Sequence, residues 1–323
     1  MKQINSQVSF SGFWQEHGSY YSTTSPASKI SFYSEGKSVS IVAEAFAFFE
    51  IFIDKKHYKK IRIDAKRKYR IVSDLENGKH LIEIILCSEL YPGVWKFYQI
   101  FYEGNVFPVK EKRLKIEFIG DSYSVGYGVE ALSVSSGSVE ETTNTTKSFA
   151  FLLAEDLNAD YRFSAFSGHG LIHNYENMDE NWTIPQLILY QEPGRIKKTT
   201  LRNFEAWQPD LIVLFVGIND FQGNSGLKTT DAFVCAYMEF LTFLRRKFKQ
   251  VRFLLLATEV YPNDLLIPAV QKIYENERTL GFSDLKIKIL TFETNALHGH
   301  PNVSSQEEVK NILLPIVQDF LKE

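Results

Sequence analysis

The chain has 323 residues, 44% of them hydrophobic and 23% charged, which is enough apolar material for two domains with separate cores. Its 36 basic and 39 acidic residues give a net charge of -3, which provides no overall field for nucleic acid or an anionic membrane. Basic residues cluster in residues 55–60 and 66–70. Ile and Tyr interrupt both runs, a pattern that favours the solvated side of strands over a polyanion site.

Targeting and redox signals are weak. Residues 1–6 lack the apolar core of a signal peptide, and no run approaches the ~20 apolar residues of a membrane span. We therefore expect a cytoplasmic protein if the chain is complete and a secreted one if a leader has been removed. Cys87 and Cys235 lie in separate apolar stretches, which predicts buried free thiols and excludes a disulfide or zinc framework.

The first domain is predicted to cover residues 1–108 and to be an all-β sandwich resembling a jelly roll. Apolar residues alternate with polar ones around Ile41 and again around Ile84, with the period of two that is typical of strands. Turn-forming residues separate these runs at positions 34–37 and 76–79. Many short strands with no helical stretch between them favour a sandwich.

The second domain is predicted to cover residues 109–323, after a linker at 104–108. Strand-like apolar runs alternate there with helical patterns, which predicts a three-layer α/β domain with a parallel sheet. The predicted strands are 115–119, 161–165, 211–216, 251–256 and 287–290, and the predicted helices are 147–157, 231–248, 265–280 and a final one. Ser304 and Glu307 have the spacing of a capping box at the start of this last helix.

Four polar motifs follow these elements in order. Ser122 ends the segment Ile119-Gly120-Asp121-Ser122 after the first strand, and Gly168 follows the second strand in Ser167-Gly168-His169-Gly170. Asn219 follows the third strand, and His300 precedes the last helix. The carboxyl ends of parallel strands meet at one edge of the sheet, so we expect these residues to lie close together. A serine there can act as a nucleophile and a histidine as its base.

This order of serine, glycine, asparagine and histidine resembles the four signature blocks of SGNH (GDSL) hydrolases. The segments 115–122, 126–128, 158–161, 185–190 and 208–211 are similar to the catalytic domain of family-two carbohydrate esterases, which also have an N-terminal jelly roll. The resemblance covers most of the chain. It implies Ser122 as nucleophile, His300 as base, and an oxyanion hole formed by Ser122, Gly168 and Asn219. It implies no cofactor and no metal.

The sequence departs from the SGNH pattern next to the histidine. His298 stands where these enzymes usually have an aspartate, two residues before His300. Three arrangements remain open. His300 works in a Ser–His dyad held by a backbone carbonyl, as the resemblance favours; Glu293 or His298 orients it; or the site is weakened. We expect His298 to be far less important than His300.

Several residues beside these motifs are candidates for contacts with substrate. Tyr123, Tyr127, Trp182 and Phe221 form either a sugar platform or packing under the loops, and His169 is expected at the rim of the oxyanion loop. His169 and His173 have metal-ligand spacing but no third ligand. Asp121 and Asp220 are expected to be structural hydrogen-bond acceptors.

The function most compatible with this pattern is a serine esterase that removes acetyl groups from an acetylated oligosaccharide or polysaccharide. A carbohydrate O-acyltransferase is a second reading, because a sugar can intercept the same acyl-enzyme. A carbohydrate-binding protein with a vestigial SGNH site is a third. We expect neither nucleic acid nor membrane as a partner.

Overall fold

The structure, a computed structural model, describes residues 7–91, 93–110, 112, 114–179, 182–193 and 199–323. It contains two compact units. The first consists of Met1–Lys112 and Gln191–Thr200, and the second of Arg113–Tyr190 and Leu201–Glu323. Sequence patterns did not reveal that the short segment Gln191–Thr200, which lies in the middle of the α/β half of the chain, belongs to the first unit.

The first unit is built from two antiparallel sheets. One has the order β1-β4-β9-β6-β7, with β11 also paired to β4, and the other has the order β2-β3-β10-β5-β8. Alternate residues of both sheets, such as Ile84 and Ile41, are fully buried in a shared core around Trp95. The strands are β1 (Ser9–Ser11), β2 (Gln15–Glu16), β3 (Tyr21–Thr23), β4 (Lys29–Ser34), β5 (Val39–Glu44), β6 (Ala47–Ile53), β7 (Lys56–Ile63), β8 (Arg67–Val72), β9 (His80–Leu86), β10 (Trp95–Tyr102) and β11 (Val106–Pro108).

The second unit is a parallel sheet with helices between its strands. The strands β12 (Lys115–Gly120), β13 (Asp160–Ala165), β14 (Leu211–Phe215), β15 (Arg252–Thr258) and β16 (Leu285–Leu290) pair in the order β13-β12-β14-β15-β16. The order reverses at β12, and such a point is where doubly wound sheets bind ligands. The helices are α1 (Ser122–Val125), α2 (Val139–Thr142), α3 (Phe149–Asp156), α4 (Ile184–Leu187), α5 (Ile218–Phe221), α6 (Asp231–Lys247), α7 (Leu266–Thr279) and α8 (Val303–Phe320).

Two local predictions were wrong. The N-cap of α8 is Asn302, whose side chain accepts a hydrogen bond from the Ser305 N–H at 2.9 Å, so Ser304 lies inside the helix and forms no capping box. Cys87 is buried as expected, whereas Cys235 lies on the exposed face of α6. None of the helices that the structure describes is both long and apolar enough to span a membrane.

Candidate active site

Ser122 lies at the tight turn between β12 and α1. Asp121 caps this helix, because its side chain accepts a hydrogen bond from the Tyr123 N–H at 3.0 Å. The helix ends after one turn at Gly126, whose φ of 75° is in the left-handed region that glycine adopts without strain. The turn places the Ser122 side chain, 6% exposed, at the carboxyl edge of the sheet where the strand order reverses.

His300 contacts Ser122 directly. Its Nε2 lies 2.8 Å from Ser122 Oγ, and its Nδ1 lies 2.9 Å from the carbonyl oxygen of Leu297. A carbonyl only accepts hydrogen bonds, so this contact places the imidazole proton on Nδ1 and leaves Nε2 free to accept the serine proton. Burial, with a contribution from the nearby His298, lowers the pKa of His300 to about 4, so the ring is neutral at pH 7.

The backbone N–H groups of Ser122 and Gly168 are the candidates for binding an oxyanion. Within the described part of the chain, the N–H groups of Ser122 and Gly168 donate to no other protein atom. Gly168 has a φ of 78°, and a Cβ there would collide with the sulfur of Met178, so this position requires glycine. Donors of this kind stabilise the tetrahedral intermediates of acyl transfer.

The Asn219 amide already has partners. Its Nδ2 donates to the carbonyl oxygen of His169 at 2.9 Å and to Asp121 Oδ2 at 3.3 Å. The first bond holds the glycine loop against α5. The second contact is the longer of the two, so this N–H group is the more weakly held.

Asp220 anchors the loop that carries Gly168. Its carboxylate accepts hydrogen bonds from the N–H groups of Leu171 and Ile172 at 2.8 Å and of His173 at 3.0 Å. Burial raises the pKa of Asp220 to about 6, and these N–H donors oppose the shift. Burial and the charge of Asp220 raise the pKa of Asp121 to about 7, against the opposing hydrogen bond from Tyr123. Both aspartates are hydrogen-bond acceptors that shape the site, as the sequence indicated.

Neither alternative partner proposed for His300 reaches its Nδ1. Glu293 is exposed, and its side chain accepts a hydrogen bond from the Asn295 amide at 3.0 Å. His298 is also exposed, and its Nδ1 lies 3.0 Å from the hydroxyl of Tyr127. The Tyr127 ring lies against the His300 ring with centroids 4.5 Å apart. The side chain of His298 therefore bonds Tyr127, whereas the Nδ1 of His300 bonds the Leu297 carbonyl.

The other residues predicted to contact substrate differ in how much of their surface is exposed. Phe221 is 3% exposed and packs on Phe233, and His169 is 1% exposed, so neither offers a surface to a sugar at the rim of the site. Tyr123 is 7% exposed and packs against the His300 ring with centroids 5.3 Å apart. Tyr127 and Trp182 are half-buried.

Sequence reasoning did not single out a cleft that lies beside the site, and it expected a backbone carbonyl next to His300 without indicating which one. A cleft of about 410 Å³ is lined by Tyr123 and Gly299 and by Tyr261, which is 82% exposed. No motif marks Tyr261, because it lies in a loop after β15 that lacks any signature. The Leu297 carbonyl also carries no signal, because any residue supplies one.

The histidines with metal-ligand spacing are engaged separately. His169 Nδ1 lies 3.0 Å from the carbonyl oxygen of Ser167, and His173 Nε2 lies 3.3 Å from the hydroxyl of Ser225. Among the residues that the structure describes, no group of three or more His, Cys, Asp or Glu side chains is arranged to hold a metal ion.

Comparison with known proteins agrees with this architecture. Residues 15–109 match the model for the carbohydrate esterase 2 N-terminal domain, and residues 118–281 match the model for the GDSL-like lipase/acylhydrolase family. The second match contains Ser122, Gly168 and Asn219 and ends before His300.

One curated relative, an acetylxylan esterase/glucomannan deacetylase of Cellvibrio japonicus, is 27% identical over 286 residues, which are 84% of this chain and 77% of the relative. The structure of a family two carbohydrate esterase from Clostridium thermocellum in complex with cellohexaose has a TM-score of 0.90 at 21% identity, covering 98% of this chain and 99% of that one. Another, from Cellvibrio japonicus, has a TM-score of 0.90 at 19% identity and covers 99% and 96%. The GDSL-like model spans about half of the chain, and this protein therefore belongs to the GDSL-like lipase/acylhydrolase family, with a carbohydrate esterase 2 N-terminal domain before its α/β unit.

Proposed function

We propose that this protein is a serine esterase that removes acetyl groups from O-acetylated carbohydrate through an acyl-enzyme, with Ser122 and His300 as its catalytic dyad. The observation that carries the proposal is the position of His300, between the nucleophilic hydroxyl of Ser122 and the Leu297 carbonyl. A neutral imidazole held in one tautomer against a serine hydroxyl is the arrangement that nucleophilic catalysis requires.

In the acylation step, His300 Nε2 removes the proton of Ser122 Oγ while that oxygen attacks the ester carbonyl carbon. The C–O bond to the sugar then breaks, and the proton on Nε2 passes to the leaving sugar oxygen. The Leu297 carbonyl accepts a hydrogen bond from the Nδ1–H group throughout. It orients the ring, but it stabilises the imidazolium less than a carboxylate does, because it carries only a partial charge.

The negative charge that develops on the carbonyl oxygen is stabilised by the N–H groups of Ser122 and Gly168. Asn219 adds a third donor when its long contact with Asp121 gives way. In deacylation, water takes the place of the sugar: His300 removes a proton from it as its oxygen attacks the acyl carbon. The bond from that carbon to Ser122 Oγ then breaks, acetic acid leaves, and the proton on Nε2 returns to Ser122 Oγ.

The substrate class follows from the similarity to known proteins. The curated relative is named for acetylxylan and glucomannan, and the matched N-terminal model is that of carbohydrate esterase 2. Acetylated xylan and glucomannan are therefore the first substrates to test.

The experiment compares wild type with Ser122→Ala on 4-nitrophenyl acetate and butyrate, and on acetylated xylan and glucomannan with acetate release as the readout. We expect turnover by the wild type and a loss of at least about 10³-fold in the variant, because the covalent step requires the hydroxyl. Ser133→Ala, which alters an exposed serine, is the matched control and should retain full activity.

Equal rates in wild type and Ser122→Ala would contradict the assignment of the nucleophile. Turnover of the nitrophenyl esters without acetate release from either polysaccharide would contradict the substrate class and leave the esterase intact. Transfer of acetyl groups to added sugar in excess of free acetate would identify an acyltransferase.

A further inference from the structure

The first unit contains a strong concentration of positive charge. Residues 55–70 include nine Lys and Arg residues and one aspartate, a net charge of +8, whereas the whole chain has -3. The rest of the chain therefore carries -11. We call the nine Lys and Arg side chains of residues 55–70 the basic edge.

The fold brings both halves of this run to one side of the sandwich. Strand β7 is the last strand of one sheet, and β8 is the last strand of the other. Lys59 Nζ donates a hydrogen bond to the carbonyl oxygen of Arg70 at 3.3 Å, which joins the two edge strands. The sequence pattern favoured the solvated side of strands over a polyanion site. In the structure the two edge strands lie side by side, and Arg62 and Lys68, which are exposed next to the buried Ile63 and Tyr69, flank this edge on the outer faces of the two sheets.

The charge of the basic edge exceeds what protection of an edge strand requires. A few lysines are enough to discourage edge-to-edge pairing. Here like charges are close enough to interact, since burial and the charge of Arg70 lower the pKa of Lys59. Lys68 and Arg70 form no ion pair with any carboxylate that the structure describes. Lys55 pairs with Glu83 and Arg67 pairs with Asp64, so part of the charge is compensated within the protein. The repulsion that remains around Lys68 and Arg70 is relieved when an anion binds.

Exposed aromatic rings lie beside these cations. Phe46 is 65% exposed, with the guanidinium of Arg62 4.6 Å from its ring centroid, and Phe101 is 37% exposed, with the ammonium of Lys68 at 4.4 Å. Tyr58, which is 45% exposed, lies on β7 itself. Each ring places an apolar surface next to a positive charge, a combination that suits a sugar ring bearing a carboxylate.

We propose that the basic edge is a docking surface for an anionic polysaccharide, a chain of sugars with carboxylate groups. Strands β7 and β8 have 8 and 6 residues, so the surface extends about 20–27 Å, which suits an extended chain one sugar wide. The surface would hold a polymer on the protein independently of the dyad.

The test is binding of polygalacturonate oligomers to the full chain, measured by isothermal titration calorimetry. The variant carries Lys56→Gln, Lys66→Gln, Lys68→Gln and Arg70→Gln, four exposed members of the basic edge. The matched control carries Arg246→Gln, Lys249→Gln, Lys272→Gln and Lys322→Gln, which remove the same charge from exposed sites of the second unit. Uncharged dextran and a single-stranded oligodeoxynucleotide are the comparison ligands.

We expect wild type, Ser122→Ala and the control to bind polygalacturonate with an affinity that falls as salt rises, and the basic-edge variant to bind at least about tenfold more weakly. Binding in Ser122→Ala separates this result from the proposed esterase activity. Three results would overturn the proposal: no binding of polygalacturonate, an equal loss in the control variant, or tighter binding of the oligodeoxynucleotide. Equal binding of dextran would also overturn it, because charge would then have no role.

Discussion

The environment of His300 fixes the orientation and the tautomer of its ring and lowers its basicity. The ring has a fixed tautomer, because Leu297 offers only a carbonyl oxygen to Nδ1. No carboxylate of the described residues stabilises its charged form, and the ring is packed against Tyr123 and Tyr127. Position and tautomer are thus supplied without the usual aspartate, at the cost of a low basicity.

The pH dependence of activity follows from this environment. His300 must be neutral to accept the serine proton, and its pKa is lowered from 6.5 to about 4, mainly by burial. We therefore expect kcat/KM on 4-nitrophenyl acetate to stay level down to about pH 5 and to fall below it. The unfolded chain takes up a proton near 6.5, so this group also favours unfolding as pH falls towards 4. Circular dichroism at each pH separates the two effects, and an acid limb near 6.5 in the folded enzyme would contradict the expectation.

His298 should affect this pH profile more than the rate. It contacts Tyr127 and contributes its charge to lowering the pKa of His300. We expect His298→Ala to change kcat/KM only a few-fold near pH 8 and to move the acid limb to higher pH, because removing a positive charge raises the pKa of His300. His300→Ala should lose at least about 10³-fold at every pH.

Tyr127→Phe is the matched control, since it removes the hydroxyl that contacts His298 and keeps the ring against His300. It should leave the acid limb where it is if the charge of His298 is responsible. Equal losses of activity in His298→Ala and His300→Ala would assign His298 a direct role in catalysis.

The glycine loop after β13 depends on one carboxylate of α5. Asp220 accepts the N–H groups of Leu171, Ile172 and His173, and thereby fixes the backbone that leads back to Gly168. We expect Asp220→Ala to lower kcat by about 10²-fold with a smaller change in KM, because a misplacement of about 1 Å in the oxyanion hole has this effect. The kcat of Asp220→Asn should lie between those of the wild type and Asp220→Ala, since its single amide oxygen can still accept hydrogen bonds from the N–H groups of Ile172 and His173.

The control for this prediction is Asp210→Ala, at the opposite end of β14. Its carboxylate also accepts a backbone N–H, that of Lys115 at 2.8 Å, but lies far from the carboxyl edge of the sheet. Thermal unfolding of both variants should show a loss of stability, and only Asp220→Ala should lose kcat. Full activity in Asp220→Ala would contradict the positioning role.

The sequence predicted the strands of the second unit well, because runs such as residues 211–216 are apolar throughout and have few alternatives to a buried parallel strand. Ser122 and His300 could be proposed as partners because side chains with reactive groups followed predicted strands in a known order, and the two side chains are in contact in the structure. The prediction of the N-cap of α8 was wrong, because Asn and Ser are both good caps and the choice between Asn302 and Ser304 depends on how the preceding loop folds. The resemblance favoured a backbone carbonyl next to His300, but its assignment to Leu297 was not predictable, because it depends on the backbone conformation of residues 296–300.

At the scale of the whole molecule, the first unit is built from two separate segments of the chain, and the second of these interrupts the second unit. The chain leaves the second unit at Tyr190, supplies Gln191–Thr200 to the first and returns at Leu201. Tyr190 and Leu201 form an antiparallel bridge, and the Gln191 N–H donates to the Thr200 carbonyl at 3.0 Å, so the two crossings lie side by side. Sequence analysis could not detect this segment, because it is too short to show a hydrophobic pattern of its own.

The contribution of this segment can be measured through Gln191. Its side-chain amide donates to the carbonyl oxygen of Trp14 at 3.1 Å within the first unit. We expect Gln191→Ala to cost about 1 kcal/mol and to lower Tm by roughly 2–4 °C, because one partly buried hydrogen bond is lost. Activity on 4-nitrophenyl acetate at 25 °C should be unchanged, since the dyad is formed entirely within the second unit. Gln271→Ala, on an exposed turn of α7, is the control and should not lower Tm. A fall in activity with an unchanged Tm would mean that the segment acts on the dyad and not on the stability of the sandwich.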